Sequence, residues 1–192
     1  MSHASPEEAV RERLEANDVR GAATVAITAL GPRVLTYLRS ILHDEDDVED
    51  AFSTFAEAIW KGLATFRWEA SLATWSYLVA HHAALAVRDQ PWRRHGRRLA
   101  TGEASQLADN LRTKSFVRVE RQREGLMKLL ATLTLEDQSL FALRIGQSLE
   151  WADLAAVMTR DGNPIDANTV AKRFSRLKER LSRMAKEQGL VE

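Results

Sequence analysis

The sequence predicts an all-α fold of two small helical domains joined by a flexible linker. Apolar residues recur at spacings of three and four along most of the chain, the period of an amphipathic helix, and no segment alternates as a strand does. Residues 95–115 are rich in small and polar types without clear periodicity, which is typical of a linker. The 192 residues suffice for one domain or two small ones. We therefore expect a first domain over 1–94, a linker over 95–115 and a second domain over 116–192.

The first domain begins with helices whose starts are visible in the sequence. Ser5-Pro6-Glu7-Glu8 combines an N-cap, a proline at the first helical position and first-turn acids. Gly31-Pro32 is expected to break the helical pattern, with a helix following from about Pro32 to Leu42. The acids Asp44–Asp47 lack the central glycine and terminal glutamate of a calcium loop. They are interpreted as the first turn of a helix that runs to about Phe66.

Two faces are expected on each of the next two helices. The first of them has a buried apolar stripe, Val48, Phe52, Phe55, Ile59, Leu63 and Phe66, and a polar face, Asp46, Asp50, Ser53 and Glu57. After a short loop, Ser71 is predicted to cap a helix that reaches about Trp92. Its predicted inward stripe is Leu72, Trp75, Leu78, Val79, His82 and Ala86. Its predicted outer face is Thr74, Tyr77, His81, Ala84 and Arg88.

The second domain is predicted to start with a helix from about Phe116 to Thr132. Thr134-Leu135-Glu136-Asp137 resembles a capping box and opens a helix through Ile145. A short helix, Trp151–Met158, precedes a turn over Thr159–Ala167 that contains Asp161-Gly162-Asn163-Pro164. The last helix is expected over about Asn168–Lys186, with an inward stripe of Val170, Phe174, Leu177, Leu181 and Met184.

A short helix, a turn and a longer basic helix are typical of a helix-turn-helix. The first residues of such a second helix reach base edges in the major groove, which makes Asn168, Thr169 and Lys172 candidates for base contacts. Arg173, Arg176 and Arg180 are better placed for phosphates, which supply affinity without sequence information. An ordinary helical hairpin with a solvated basic face remains the alternative interpretation.

The formal net charge of zero results from a cancellation along the chain. The net charge is −6 over residues 1–80, +6 over 81–130, −4 over 131–166 and +4 over 167–192. The two basic blocks are candidate nucleic-acid contacts. With no cysteine, the chain has no disulfide, thiolate metal site or cysteine nucleophile. No metal, cofactor or catalytic motif is evident, and no apolar run approaches the length of a membrane span. The N-terminus does not resemble a signal peptide, so we expect a cytoplasmic protein. Because no catalytic motif is evident, we do not expect an enzyme.

Two segments resemble bacterial RNA polymerase sigma factors of the extracytoplasmic-function group of the sigma-70 family. Val34–Arg94 resembles region 2 through D44-E-D-D-V-E-D50, W60-K-G-L63, F66-R-W-E-A-S71, T74-W75-S-Y-L-V-A80 and the basic end Arg93-Arg94. Leu129–Ala185 resembles region 4 through L133-T-L-E-D-Q-S-L-F-A-L-R144, L149-E-W-A-D-L-A-A156 and N168-T-V170 with the basic helix after it. The two segments occur in the family's order and cover most of the chain.

The resemblance implies a promoter-specificity subunit without catalysis of its own, made of a region 2-like helical bundle and a region 4-like helix-turn-helix. Its partners would be core RNA polymerase, promoter DNA and an anti-sigma factor. Region 4 would bind the −35 element, and region 2 would bind and open the −10 element. Opening the duplex means capturing unpaired bases, and aromatic platforms beside a basic groove can offset the cost of unstacking them. The candidates there are Trp68 and Tyr77 for stacking, with His81, Arg88, Arg93 and Arg94 along the backbone. The face Asp46, Asp50, Ser53 and Glu57 would dock on the polymerase.

The chain departs from the family pattern at three places. Ser53-Thr54 stands where the family usually has glutamine followed by an acid, and His81-His82 where it has Arg-Asn, with Ala86 in place of an aspartate. The turn Thr159–Ala167 is also several residues longer than usual. Two other functions stay open: a helix-turn-helix regulator that binds DNA without polymerase, and a helical adaptor that binds only protein. Salt-dependent DNA affinity is expected of the regulator and not of the adaptor.

Overall fold

A computed structural model describes residues 5–88, 125–159 and 164–190 of the chain. Within these ranges the chain forms helices and no strand, which confirms the all-α prediction. The predicted linker, both predicted domain boundaries, Arg93 and Arg94 lie outside the described residues. The first unit comprises α1 (Pro6–Glu15), α2 (Val19–Ile41), α3 (Glu45–Gly62) and α4 (Leu72–Arg88). The second unit comprises α5 (residues 125–131), α6 (Leu135–Phe141), α7 (Trp151–Met158) and α8 (Ala167–Glu187).

The predicted helix starts are confirmed by their capping hydrogen bonds. Ser5 and Glu8 form a reciprocal capping box at α1. The Asp44 carboxylate accepts from the first-turn amides of α3, so the neighbouring acids do begin a helix. The Ser71 hydroxyl accepts from the amide of Thr74 at 3.0 Å. Each of these side chains satisfies a backbone donor that the helix itself leaves unpaired.

The predicted break at Gly31-Pro32 is wrong, because α2 continues through both residues. Pro32 lacks an amide hydrogen, so one hydrogen bond to the carbonyl four residues earlier is missing. That carbonyl belongs to Thr28. Both Pro32 and Thr28 are exposed on the outer side of α2, where water can hydrate the carbonyl oxygen. On the opposite side Leu30 and Val34 are buried. Packing of this inner face therefore outweighs the local preference of proline.

The first unit is a bundle around the α2–α3–α4 contacts. The predicted stripe of α3 supplies Val48, Phe55, Ile59 and Leu63 to its core, with Phe52 and Phe66 half-buried. In the second unit, α7 packs on α8, and the predicted stripe of α8 is buried from Val170 to Leu181 with Met184 half-buried. The two units are in direct contact, since α6 and α7 pack on α2 and α4. None of the helices among the described residues is both long and apolar enough to span a bilayer.

Candidate nucleic-acid and polymerase interfaces

Helices α7 and α8 have the short-then-long arrangement expected of a helix-turn-helix. The Trp151 ring at the start of α7 packs edge-on against Phe174 of α8, with 5.6 Å between the ring centroids. Leu154 and Leu177 are buried. This packing holds the apolar side of α8 against α7 and leaves its basic side in solvent, which is the orientation that a recognition helix needs.

The first turns of α8 present three predicted DNA contacts to solvent. Asn168, Lys172 and Arg176 are all exposed. Thr169 is exposed too, but its hydroxyl donates to the carboxylate of the N-cap Asp166 at 2.6 Å, and its amide donates to the same carboxylate at 2.9 Å. The hydrogen bonds from Thr169 lower the pKa of Asp166. Thr169 therefore shapes the start of the helix, while Lys172 and Arg176 are exposed cations that follow it.

Arg173 and Arg180, predicted as phosphate contacts, form ion pairs with acids of α6. Arg173 donates to Asp137 at 2.9 and 3.0 Å and to Glu136 at 3.0 Å, and Arg180 donates to the other oxygen of Asp137 at 2.7 Å. Asp137 lies in the first turn of α6 and its side chain is 11% exposed. The two arginines thus tie α8 to α6, and sequence periodicity gave no sign of this pairing.

The electrostatics of this cluster favour the charged forms. Burial alone would raise the pKa of the Asp137 carboxyl, but the hydrogen bonds from Arg180 and Arg173 outweigh it and hold that pKa below its usual value. Burial likewise opposes the charge of Arg173, while Glu136 and Asp137 raise its pKa. The cluster is a charged clamp between the two helices.

The loop before α4 holds Trp68 in a constrained position. Its φ is 59°, a left-handed conformation that is costly for a residue with a side chain. The Trp68 ring is half-buried. Its centroid lies 4.8 Å from the centroid of the Phe66 ring and 4.0 Å from the guanidinium carbon of Arg11. Phe66 in turn stacks on Trp75 at 4.6 Å. Phe66, Trp68 and Trp75 therefore form a half-buried aromatic cluster. Of the two residues predicted to stack on bases, it contains Trp68 but not Tyr77.

The two faces predicted for α4 are partly exchanged in the structure. Tyr77 and His81, predicted to face outward, are only 2% and 3% exposed. His82 and Ala86, predicted to face inward, are exposed. The reason is that α4 is packed on two sides, by α3 and by α7, so a second side of the helix is covered. Arg88 at the end of α4 is exposed, as predicted.

Residues of the second unit cover Tyr77 and His81. The Tyr77 hydroxyl donates to the side-chain carbonyl of Gln147 at 2.6 Å. The Ser139 hydroxyl lies 3.1 Å from Nδ1 of His81 and accepts a 3.0 Å hydrogen bond from Tyr37. Burial raises the pKa of both tyrosines, so the phenols remain neutral donors.

The predicted polymerase-facing residues Asp46, Asp50, Ser53 and Glu57 lie on one exposed side of α3. Their spacing continues to Trp60, which is 46% exposed although it is the largest kind of apolar side chain. Lys61 pairs with Glu57 and lowers the pKa of that carboxyl. Sequence reasoning missed Trp60, although its position three residues after Glu57 would have placed it on this face.

Within the described ranges, no group of three or more histidine, aspartate or glutamate side chains is arranged to hold a metal ion. The side chains exposed on these surfaces are charged, hydrogen-bonding and aromatic. Such groups bind and orient partners, and they match the kinds of contact made with nucleic acid and with protein surfaces.

Comparison with known proteins gives two similarities. Residues 26–98 match the family model described as Sigma-70 region 2. The chain is also 26% identical over 126 residues to RNA polymerase sigma factor YlaC of Bacillus subtilis (strain 168), an alignment that covers 65% of this chain and 72% of that protein. The family match spans the acidic face of α3, the aromatic loop and all of α4.

Proposed function

Because this chain is a member of the extracytoplasmic-function group of the sigma-70 family, we propose that it binds core RNA polymerase and directs it to promoters by contacts to the −10 and −35 elements. The observation that carries this proposal is the region 2 match over residues 26–98, which contains an exposed acidic face with a tryptophan at its end. The protein would act in the cytoplasm, where the polymerase is, and would have no catalysis of its own.

The decisive experiment is in vitro transcription with core polymerase and a library of promoter fragments. We expect transcripts that depend on this chain and share two sequence elements. A chain that forms a core complex without any transcript would lack promoter recognition. A chain that binds duplex DNA but not core would be a regulator, and one that binds neither would be a protein adaptor. Each of these three outcomes would overturn the proposal.

We assign −35 binding to the exposed cations of α8. Lys172 lies near the helix start and reaches base edges, whereas Arg176, one turn later, is placed for a phosphate. Lys172→Ala should weaken binding to the −35 duplex and relax its sequence preference. Arg176→Ala should weaken binding to all duplex sequences alike. It should also make the slope of log affinity against log salt concentration shallower by the equivalent of about one phosphate contact. Unchanged duplex affinity and salt slope in both variants, measured by fluorescence anisotropy, would remove this assignment.

We assign polymerase docking to the exposed face of α3. Acidic groups steer a basic partner surface, and an exposed tryptophan is the residue type most often found to dominate a binding interface. Trp60→Ala should therefore reduce core affinity by roughly tenfold or more, equivalent to about 1.4 kcal/mol or more. Leu126→Ala, at an apolar position exposed to a similar degree in the second unit, serves as the control. Equal core affinities of the two variants, by competition for core, would contradict the assignment.

Of the predicted −10 contacts among the described residues, Arg88 is exposed and Trp68 is half-buried, whereas Tyr77 and His81 are buried. We propose that Trp68 stacks on an unpaired base and that Arg88 contacts the backbone beside it. An anti-sigma factor that covers these basic faces would account for control of the protein.

A further inference from the structure

Helix α1 makes two contacts with the loop that holds Trp68 and with the helix that follows it. Glu7, half-buried on α1, accepts a hydrogen bond from the first amide of α4 at 3.4 Å. One turn later, the Arg11 guanidinium covers the Trp68 ring, with its carbon 4.0 Å from the ring centroid. Val10 beside Arg11 is completely buried and anchors α1 on the bundle. Because α1 precedes residues 26–98, the region 2 match does not account for these contacts.

The Arg11 guanidinium occupies the place on Trp68 that a stacked base would need. Stacked bases in DNA are about 3.4 Å apart, so a guanidinium carbon 4.0 Å from the ring centroid leaves no room for a base beneath it. The other ring beside Trp68, Phe66, is half-buried and stacks on Trp75, which holds it in the aromatic cluster. Arg11 is exposed, and its long side chain can move aside. A base therefore stacks on the face under Arg11 only if the guanidinium gives up its position.

The relative strengths of the two contacts favour that exchange. A cation over an exposed aromatic ring stabilises its position by about two- to fivefold. Stacking of a base on an aromatic side chain contributes about five- to 150-fold. The base is therefore the stronger occupant of the ring. The displaced arginine keeps its charge and stays attached to α1 beside the ring, where its guanidinium can donate to the phosphate of the stacked nucleotide.

We propose that α1 is part of the −10 site and that Arg11 exchanges partners there. It covers Trp68 in the free chain, and it pairs with a phosphate once an unpaired base has taken its place on the ring. This inference rests on the proposed function, because it requires Trp68 to stack on a base of the −10 element. Arg11 then adds affinity that does not depend on the identity of that base, as phosphate contacts do.

The covering of Trp68 can be measured in the free chain. Incorporation of 5-fluorotryptophan labels all five tryptophans for fluorine NMR, and Trp68→Ala identifies the Trp68 resonance by its loss. Arg11→Met removes the guanidinium but keeps a long, unbranched side chain. We expect it to shift the Trp68 resonance, whereas Arg20→Met, the same loss of charge at an exposed position of α2, should leave it in place. A Trp68 resonance that Arg11→Met does not move would overturn the proposal.

The exchange is measured with the complex of this chain and core polymerase. The probe is a fluorescent single-stranded oligonucleotide with the −10 sequence of a promoter found in the transcription experiment. For single strands, each phosphate contact contributes about 0.7 to the slope of log affinity against log salt concentration. From about 50 to 200 mM salt, the affinity of the Arg11→Met complex should therefore fall by about 2.5-fold less than that of the native complex. Arg11→Lys, which keeps the charge, and Arg20→Met should both retain the native slope.

The outcomes separate the role of Arg11 from the −10 site itself. If Trp68→Ala weakens oligonucleotide binding but Arg11→Met keeps the native slope, the −10 assignment stands and the exchange is refuted. Tighter binding by Arg11→Met with the native slope would mean that Arg11 only covers the ring, and would also refute it. If Trp68→Ala binds as tightly as the native chain, the stacking assignment fails and the exchange fails with it. Because Val10 anchors α1 and Arg11 is exposed, the Arg11 variants should fold as the native chain does.

Discussion

The charged clamp between α6 and α8 makes a quantitative prediction for Asp137→Asn. The substitution keeps the size of the side chain but removes its charge. The carboxylate now accepts three hydrogen bonds, two from Arg173 and one from Arg180. In the variant both arginines lose a charged hydrogen-bond acceptor. Arg173 keeps its hydrogen bond to Glu136, whereas Asp137 is the acceptor to which Arg180 donates. The second unit should therefore be less stable and the position of α8 less well defined.

The magnitude follows from the exposure of the partners. The Asp137 side chain is 11% exposed, whereas those of Arg173 and Arg180 are 39% and 43% exposed. Hydrogen bonds to charged groups contribute about 1.5–3 kcal/mol each, but pairs that are open to solvent are screened and contribute at most about 1 kcal/mol. Since the arginines can rehydrate in place, we expect a total loss of about 2 kcal/mol. For a chain of this size that corresponds to a decrease of about 4–8 °C in the melting temperature.

The effect should depend on pH with a definite sign. The folded-state pKa of Asp137 lies below its unfolded value of about 3.9, because its arginine partners stabilise the charged form. The carboxylate therefore contributes its full stabilisation above about pH 5. That contribution declines as the pH falls from the unfolded pKa through the folded one. The difference in unfolding free energy between the native sequence and Asp137→Asn should be constant near neutrality and should disappear in acid.

Urea denaturation followed by circular dichroism at a series of pH values provides the measurement. Glu179→Gln, the same change of charge at an exposed position of α8, is the matched control and should alter stability by less than about 0.5 kcal/mol. A neutral-pH loss for Asp137→Asn no greater than that of the control would refute the clamp. So would a loss that is equally large at pH 3 and pH 7, since it could not come from the carboxylate charge.

Two further predictions concern the packing of the helices. Pro32→Ala should stabilise the protein by about 1–3 kcal/mol, since alanine restores an amide donor within α2 at an exposed position. An unchanged or lower urea midpoint would show that the proline is required there. Leu154→Ala should destabilise the second unit by about 2–5 kcal/mol, because Leu154 is completely buried at the centre of α7, and Ala156→Ser at an exposed position of the same helix should leave the thermal melt nearly unchanged.

Local rules were sufficient for much of the secondary structure. The cap residues Ser5 and Ser71 and the stripe of α3 act through neighbours within four positions, so sequence spacing alone locates those helices. The same holds for the apolar stripe of α8. The exposed positions of Lys172 and Arg176 followed from that stripe, since they occupy the other side of the same helix. The resemblance to sigma factors then predicted a function for these helices.

Other features depended on contacts between residues far apart in the chain. The pairing of Arg173 and Arg180 with Asp137 was not predicted, because Asp137 lies in another helix that sequence spacing does not connect to them. Pro32 was predicted to end a helix because its local penalty is visible in the sequence, while the burial of the opposite face is not. Tyr77 and His81 were predicted to be exposed because periodicity identifies a stripe but not how many neighbours pack around a helix.

The sequence by itself determined where most of the helices of this protein begin, which of them carry the charge, and which family it resembles. Those properties come from residues within one or two helical turns of each other and from motif spacing. Only the tertiary structure decided which arginines of α8 pair with the acids of α6 and that the second unit lies over α4. Both result from contacts between helices that are distant in the sequence. The free energy of such a contact depends on burial and hydrogen-bond geometry, which cannot be deduced from either segment alone.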